Sequence, residues 1–403
     1  AWLIVFSVAV LVRWSMVYLY PDMPPATDTI YEYDPIARNI LSGKGFVHAS
    51  GEPDSVRGPG YPLFLAAVYK TLGKSYPAVR LIQSVLDGIT VMIVMHLTWI
   101  LWGNWKRALI AGSILALYPL SVYSSNLVAV ETLFCFTFFL SVFFFIQGCR
   151  KDSLCLFAIS GMFLAFSVSI RATSLLFPLA LGIWLFFFKG ICRKSIMGYV
   201  CLLVAFFAVL APWCIRNYYV LDEFIVGSTN GGINFYFGSS PQYLKPYEER
   251  ESQSKIQEIN RDMADKGIRS PRNKDLYLWR LGWQNYKNAW IHEPWEVVKF
   301  VFHKAIRFWY ATDSMRQDKF SFSIQIPFLI VSIFGIQSAV KGRRYPAEMW
   351  LLVMGVVYFW LLFTAMFPLA RYTIPVIPIL AIFTSLNFFK SFQGEKGSAS
   401  PRL

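Results

Sequence analysis

The sequence predicts an all-α polytopic membrane protein with about ten transmembrane helices and two large extracytoplasmic loops. Three observations carry that prediction. Of 403 residues, 56% are apolar and only 15% charged, against roughly 25% charged in soluble domains. The apolar residues, 36 Phe and 14 Trp among them, fall in blocks of about 20, enough to cross a bilayer as a helix. Lys and Arg gather in the short loops between alternate blocks. This composition argues against soluble enzymes, DNA-binding modules and disulfide scaffolds.

In chain order the expected spans are 1–20, 78–101, 107–124, 129–147, 154–170, 173–188, 197–217, 321–338, 347–364 and 369–388. Position 1 is Ala rather than Met, so the true start is expected upstream. Residues 1–20 read as a first span rather than a signal peptide, because no small-x-small cleavage site precedes Pro21. Lys106, Arg107, Arg150, Lys151, Lys189, Arg193, Lys194, Lys341, Arg343, Arg344 and the tail residues Lys390, Lys396 and Arg402 lie in loops with only Asp152 and Glu395 as acids. The positive-inside rule places these loops and both termini in the cytoplasm. The expected organisation is a transmembrane module at 1–217 with its first outer loop at 21–77, a second outer segment at 218–320, C-terminal spans at 321–388 and a basic cytoplasmic tail at 389–403. The plasma membrane is the expected location.

The formal charge of +14 follows from those loops and does not imply nucleic acid. The six Cys form no C-x-x-C pair and the four His form no close cluster, so redox and zinc-protease signatures are lacking.

Charges within spans are expensive and mark functional hypotheses. Arg13, Arg80, Asp87, Glu131, Arg171, Arg216 and Arg371 lie in or at the ends of spans, all in the outer half. Converging Arg side chains suit an anion such as phosphate. The first outer loop clusters Asp28, Glu32 and Asp34, and a carboxylate there suits a general base that activates a hydroxyl. Residues 33–42 read as a short helix stopped by Gly43. The turn 57-RGPGYP-62 precedes 63–69, an apolar run too short to span and therefore interfacial or re-entrant. In the second outer segment, 227-GSTNGGINFYFGSSP-241 suits a ligand-cradling loop or an ordered turn, and 246–266 is a charged helical stretch. Trp279, Trp283, Tyr286 and Trp290 recur at helical spacing. Their face lies either on lipid headgroups or in a small aromatic core.

Several segments together resemble the GT-C superfamily of membrane glycosyltransferases, specifically relatives of protein O-mannosyltransferase and of the lipid A aminoarabinose transferase. They are 37-ARNILSGKGF-46, 57-RGPGYPLFLA-66, 118-YPLSVYSSNLVAVETLF-134, 171-RATSLLFP-178, 212-PWCIRNYYVLDEFIVGSTNGGINFYFGSSP-241 and 371-RYTIPVIPIL-380. The resemblance implies a GT-C-like fold. It also implies transfer of a sugar from a polyprenyl or dolichyl monophosphate to a lipid, glycan or protein acceptor on the outer face, with no cofactor beyond the lipid carrier. Whether a divalent metal takes part is left open. Asp28 is the implied base, with Asp34 its rival through a one-residue difference in spacing, and Glu131 orients the base, an Arg or the acceptor. Arg171, Arg216 and Arg371 are implied to hold the phosphate. Arg57, Tyr61, Asn230, Asn234 and Tyr372 complete the expected substrate-binding set. A polymerase or ligase using a diphosphate-linked glycan, and a transporter or flippase, are the competing readings.

Overall fold

The computed structural model describes residues 1–240, 249–312, 315–342 and 346–388. Arg343, Arg344, the tail 389–403, Pro241 and the first residues of the 246–266 stretch lie outside the described residues. Helix α1 (Trp2–Leu19) ends where Pro21 removes a backbone donor. Its last carbonyls are capped by Arg80, which donates to Tyr20 at 2.7 Å and Met16 at 3.2 Å. The first loop holds a π-helical turn, Thr29–Tyr33, α2 (Asp34–Leu41), closed near Gly43 at φ 78°, and α3 (Gly60–Leu72). The short apolar run 63–69 is thus part of a 13-residue helix.

Helix α4 (Tyr76–Trp102) starts at the Ser75 cap and stops at Gly103. Helices α5 (Trp105–Leu117) and α6 (Pro119–Asn126) form one broken pair, bent by 53° at Pro119. The break frees carbonyls inside the bundle, where each must find a donor. Arg13 supplies them. Its side chain is fully buried and donates to Ala116 at 2.8 Å and Ala9 at 2.9 Å. Its charge is balanced by Asp87 at 2.6 Å, which also accepts from Ser121 at 3.0 Å.

Helices α7 (Val130–Lys151), α8 (Leu154–Ile170), α9 (Phe177–Lys189) and α10 (Arg193–Leu221) follow. Helix α8 packs against both α7 and α10. Gly161 permits this: a Cβ there would lie 2.1 Å from the Leu202 carbonyl oxygen. The next elements are α11 (Gly231–Gly238), α12 (Glu249–Asp265), α13 (Pro271–His292) and α14 (Pro294–Arg307), all helical and all between α10 and α15. Helices α15 (Met315–Lys341), α16 (Glu348–Ala365) and α17 (Ile377–Ser385) end the described chain. Phe138, Phe177 and Phe359 form an edge-to-face cluster between α7, α9 and α16.

Seven described helices are long and apolar enough to cross a membrane, eight if the bent pair is one span. Helix α8 has 17 residues. The last expected span is a 3-10 turn at Ala370–Thr373 followed by the nine-residue α17. A hydropathy window merges these pieces because it registers apolarity and not breaks. The aromatic face of α13 is partly core: Phe235 of α11 lies 4.4 Å from Trp279, 5.2 Å from Trp283 and 5.8 Å from Tyr286, centre to centre, whereas Trp283 and Trp290 are largely exposed.

Replacing Arg13 by Ala leaves Asp87 as an unpaired buried charge and strands the carbonyls of the α5–α6 break. The expected loss is about 3–5 kcal/mol, read as a lower thermal midpoint of the purified protein in detergent. An unchanged midpoint would contradict this account of the break.

Candidate active site

The candidate site forms where four breaks in the helices meet: the π turn after α1, the α6–α7 junction, the 3-10 turn Ala172–Ser174, and the 3-10 turn Ala370–Thr373. Asp28 begins the π turn. Its neighbours are fastened to one acceptor, the Val128 carbonyl, which takes the Ala26 amide at 3.3 Å and the Thr29 hydroxyl at 2.7 Å. That carbonyl belongs to a segment held by Gln83 of α4, which donates to Leu127 at 2.9 Å and Ser125 at 3.2 Å and accepts the Tyr61 hydroxyl at 2.8 Å. Asp28 is half-buried, and its Oδ1 is buried without a hydrogen-bond partner.

Around Asp28 stand Tyr33, Arg57, Tyr61 and Arg371, each of which feels its charge. Tyr33 meets Tyr61 edge-on at 5.2 Å and lies under the Arg57 guanidinium at 5.3 Å. Arg57 is ion-paired to Glu32. Burial pushes the Tyr33 phenol up to about 12, so it stays neutral. Tyr61 and Arg57 reach this place because α3 starts hard against α8. A Cβ on Gly58 would come 2.2 Å from the Ser169 carbonyl oxygen, and one on Gly60 would come 2.6 Å from the Ser169 hydroxyl.

Glu131, only 5% exposed at the start of α7, pairs with Arg171 at 3.2 Å. The Arg171 guanidinium lies over the rings of Tyr372 at 4.4 Å and Phe363 at 5.6 Å. Arg371 touches its neighbour's hydroxyl, Tyr372, at 3.3 Å. Its Nε is buried without a partner, and Asp28 and Glu131 both act on its charge. The site therefore holds two groups with open valences, a carboxylate oxygen and a guanidinium, between two that are already paired, Glu131 and Arg171.

Asp34, Arg216, Asn230 and Asn234 are engaged elsewhere. Asp34 is 2% exposed, accepts the Tyr69 hydroxyl at 2.8 Å and pairs with Arg38 at 2.9 Å and Lys74 at 3.5 Å. Arg216 donates to the carbonyls of Asp54 at 2.7 Å and Phe46 at 2.6 Å, stacked over Trp213. At the start of α11 the Asn234 side-chain amide donates to the Asn230 main-chain carbonyl, and the Ser228 hydroxyl donates to the Asn230 side-chain oxygen. That segment is tied to the first loop through Thr229, whose amide donates to Ser55 at 2.9 Å. Sequence reasoning did not single out Gln83 or Tyr33 as site residues. Gln83 carried a signal, a lone amide one turn from Asp87 in an apolar helix. Among the described residues no group of three or more His, Cys, Asp or Glu converges as a metal site.

The sequence model of the dolichyl-phosphate-mannose-protein mannosyltransferase family matches residues 56–215. The oligosaccharyltransferase of Archaeoglobus fulgidus in its apo form aligns at a TM-score of 0.58 and 13% identity, over 96% of this chain and 50% of that one. The fold is the GT-C fold. The same archaeal protein in complex with zinc and sulfate aligns at a TM-score of 0.51 and 13% identity, over 95% of this chain and 48% of that one. ArnT from Cupriavidus metallidurans bound to undecaprenyl phosphate aligns at a TM-score of 0.45 and 15% identity, over 95% of this chain and 77% of that one. The chain thus spans half the length of the archaeal GT-C protein. No curated protein sequence matches it. The superfamily resemblance read from the sequence segments is borne out.

The two loop carboxylates separate in a stability measurement. Asp34→Ala strands the buried Tyr69 hydroxyl and is expected to cost about 1–3 kcal/mol. Asp28→Asn removes no hydrogen bond from Oδ1 and is expected to cost less. A larger thermal loss for Asp28→Asn than for Asp34→Ala would reverse the assignment of which acid is structural.

Proposed function

We propose that the protein is a glycosyltransferase that moves a sugar from a polyprenyl or dolichyl monophosphate to a lipid, glycan or protein acceptor at the extracytoplasmic face of the membrane. The observation that carries this reading is an Asp28 Oδ1 and an Arg371 Nε, each buried without a hydrogen-bond partner, with the Asp28 charge acting on the guanidinium at the junction of four helix breaks. The family description supports the donor class, and its matched segment contains Arg57, Tyr61, Glu131 and Arg171. The excess of Lys and Arg in the opposite loops supports the outward orientation, with both termini inside.

In the proposed reaction the acceptor hydroxyl is held at Asp28. Its oxygen bonds to the anomeric carbon of the donor sugar as the bond from that carbon to the phosphate oxygen breaks. The acceptor proton passes to Asp28. The electron pair leaves with the lipid phosphate, whose growing negative charge Arg371 meets where it forms. A single displacement of this kind inverts the anomeric centre. Arg171, paired with Glu131, packs on the Tyr372 ring and orients it. Binding donor and acceptor at one membrane level supplies the proximity.

Purified protein in lipid, given a panel of radiolabelled polyprenyl-monophosphate sugars, is expected to label an acceptor. Asp28→Asn is expected to lower kcat by about 10²–10⁴, and Arg371→Gln by about 10²–10³. Asp34→Asn is expected to keep turnover in whatever fraction stays folded. Loss of turnover in Asp34→Asn with retention in Asp28→Asn would overturn the choice of base. A glycosylation tag near residue 265 is expected to be modified only from the extracytoplasmic side. Modification from the cytosol would remove the proposed orientation.

A further inference from the structure

Lys304, on the inner face of α14, is fully buried, and among the described residues it forms no ion pair with a carboxylate. Its amine donates to the Gly238 carbonyl at 2.7 Å, the Ala365 carbonyl at 3.1 Å and the Tyr286 hydroxyl at 3.0 Å. Gly238 is the last residue of α11 and Ala365 the last of α16, so the amine bridges the negative ends of two helix dipoles. The rings of Tyr286 and Phe300 lie 5.7 and 5.6 Å away. The fit at this joint is close: a Cβ on Gly238 would lie 1.9 Å from the Met366 carbonyl oxygen.

The segment that leaves this joint is the one that carries Arg371. The Ala370 amide donates to the Ala311 carbonyl at 2.6 Å. Phe308, one turn beyond Lys304, stacks on Phe363 at 6.0 Å, and Phe363 stacks on Tyr372 at 4.4 Å. The residues that follow α14 therefore meet the turn directly at Ala311 and through Phe363. We propose that Lys304 is a positioning residue, whose amine locks the Arg371–Tyr372 turn in register with α11 and α13.

The groups around the amine define how the joint responds to pH. From α13 it meets Tyr286, whose phenol is pushed up to about 12 by burial and stays neutral. From α11 and α16 it meets main-chain carbonyls. On its own helix the neighbours are Arg307, which is charged, and His303, whose imidazole is pushed below its ordinary range by burial and by Arg307, and the turn it supports carries Arg371 and Tyr372. With no negative side chain to offset the cost of burial, the amine falls to about 7; once neutral it has two hydrogens for the two carbonyls and accepts from the Tyr286 hydroxyl instead of donating to it. When the joint opens, the amine returns to water and to its ordinary value of 10.5. Opening between pH 7 and 10.5 therefore takes up a proton, and the closed joint grows firmer as pH rises through that window. Below pH 7 the amine is protonated in both states, and the cost of burying its charge is present in full.

Hydrogen exchange of residues 365–373, in the full chain in lipid nanodiscs at pH 6 and pH 8 and corrected for intrinsic rates, tests the positioning role directly. Wild type is expected to gain about tenfold in protection at pH 8. Lys304→Met, which has no proton to take up, is expected to show no such step and to exchange faster than wild type at pH 8. Lys304→Arg, charged at both values, is expected to show no step either. Equal protection of wild type at the two pH values, or of wild type and a folded Lys304→Met at pH 8, would overturn the proposal. The catalytic consequence rests on the function proposed above and is read separately. In a double-mutant cycle, Lys304→Met and Arg371→Lys are expected to be non-additive in kcat/KM. Additive losses would leave Lys304 a general stabiliser and overturn its link to Arg371. Absence of any transfer by wild type would defeat the proposed function, while the exchange result still decides the positioning role.

Discussion

The candidate site hangs on one carbonyl. Val128 lies in the short non-helical link between α6 and α7, and its oxygen takes both the Ala26 amide and the Thr29 hydroxyl. Asp28 sits between those two donors, so its position follows from that link. The link in turn is held by Gln83 and begins where α6 ends, and α6 exists as a separate helix because Pro119 breaks the pair. A broken helix in an apolar bundle is tolerable only if its freed carbonyls are satisfied. Arg13 satisfies them, and Asp87 makes a buried Arg13 tolerable. The path from an ion pair in the first helix to the carboxylate of the site is continuous.

Hydrogen-bond partners sort the intramembrane charges into two kinds. The terminal NH groups of Arg13, Arg80 and Arg216 donate to main-chain carbonyls and tie helix ends and loops together, although the Arg80 Nε is itself buried without a partner. Arg371 lacks such acceptors among the described residues. Its hydrogen-bond partner is the Tyr372 hydroxyl, and its Nε faces no acceptor. A buried donor left open costs stability, and the proposed function gives the open Arg371 Nε and Asp28 Oδ1 a partner in the substrate. This contrast, and not the number of arginines, is what singles out the pair proposed for chemistry.

Much of this was legible in the sequence. Apolar blocks, Gly and Pro punctuation and the outer grouping of charges placed most helices and drew attention to Glu131, Arg171 and Arg371. The resemblance segments then named the superfamily. What failed to show was direction. Asp28 and Asp34 are close together in a region of similar composition, and only the fold shows that Asp34 binds Tyr69 and Arg38 while the Asp28 Oδ1 is left without a partner and its charge acts on Arg371. Arg216 looked like a phosphate ligand, but its carbonyl partners are Phe46 and Asp54, far away in the chain. Hydropathy did not show that α8 and α17 are short or that α5–α6 is broken, because it averages across such features. Lys304 was one basic residue among many in a nearly neutral segment, and its burial depends on two helix ends meeting.

The central claim is that Asp28 and Arg371 are kept open for a lipid-linked phosphate sugar and its acceptor. A structure of the protein in a lipid nanodisc with a polyprenyl monophosphate tests it most directly. The account predicts the phosphate within hydrogen-bond distance of Arg371, with Asp28 still free to face an acceptor. A phosphate bound at Arg216, or one that leaves Arg371 without a partner, would contradict it.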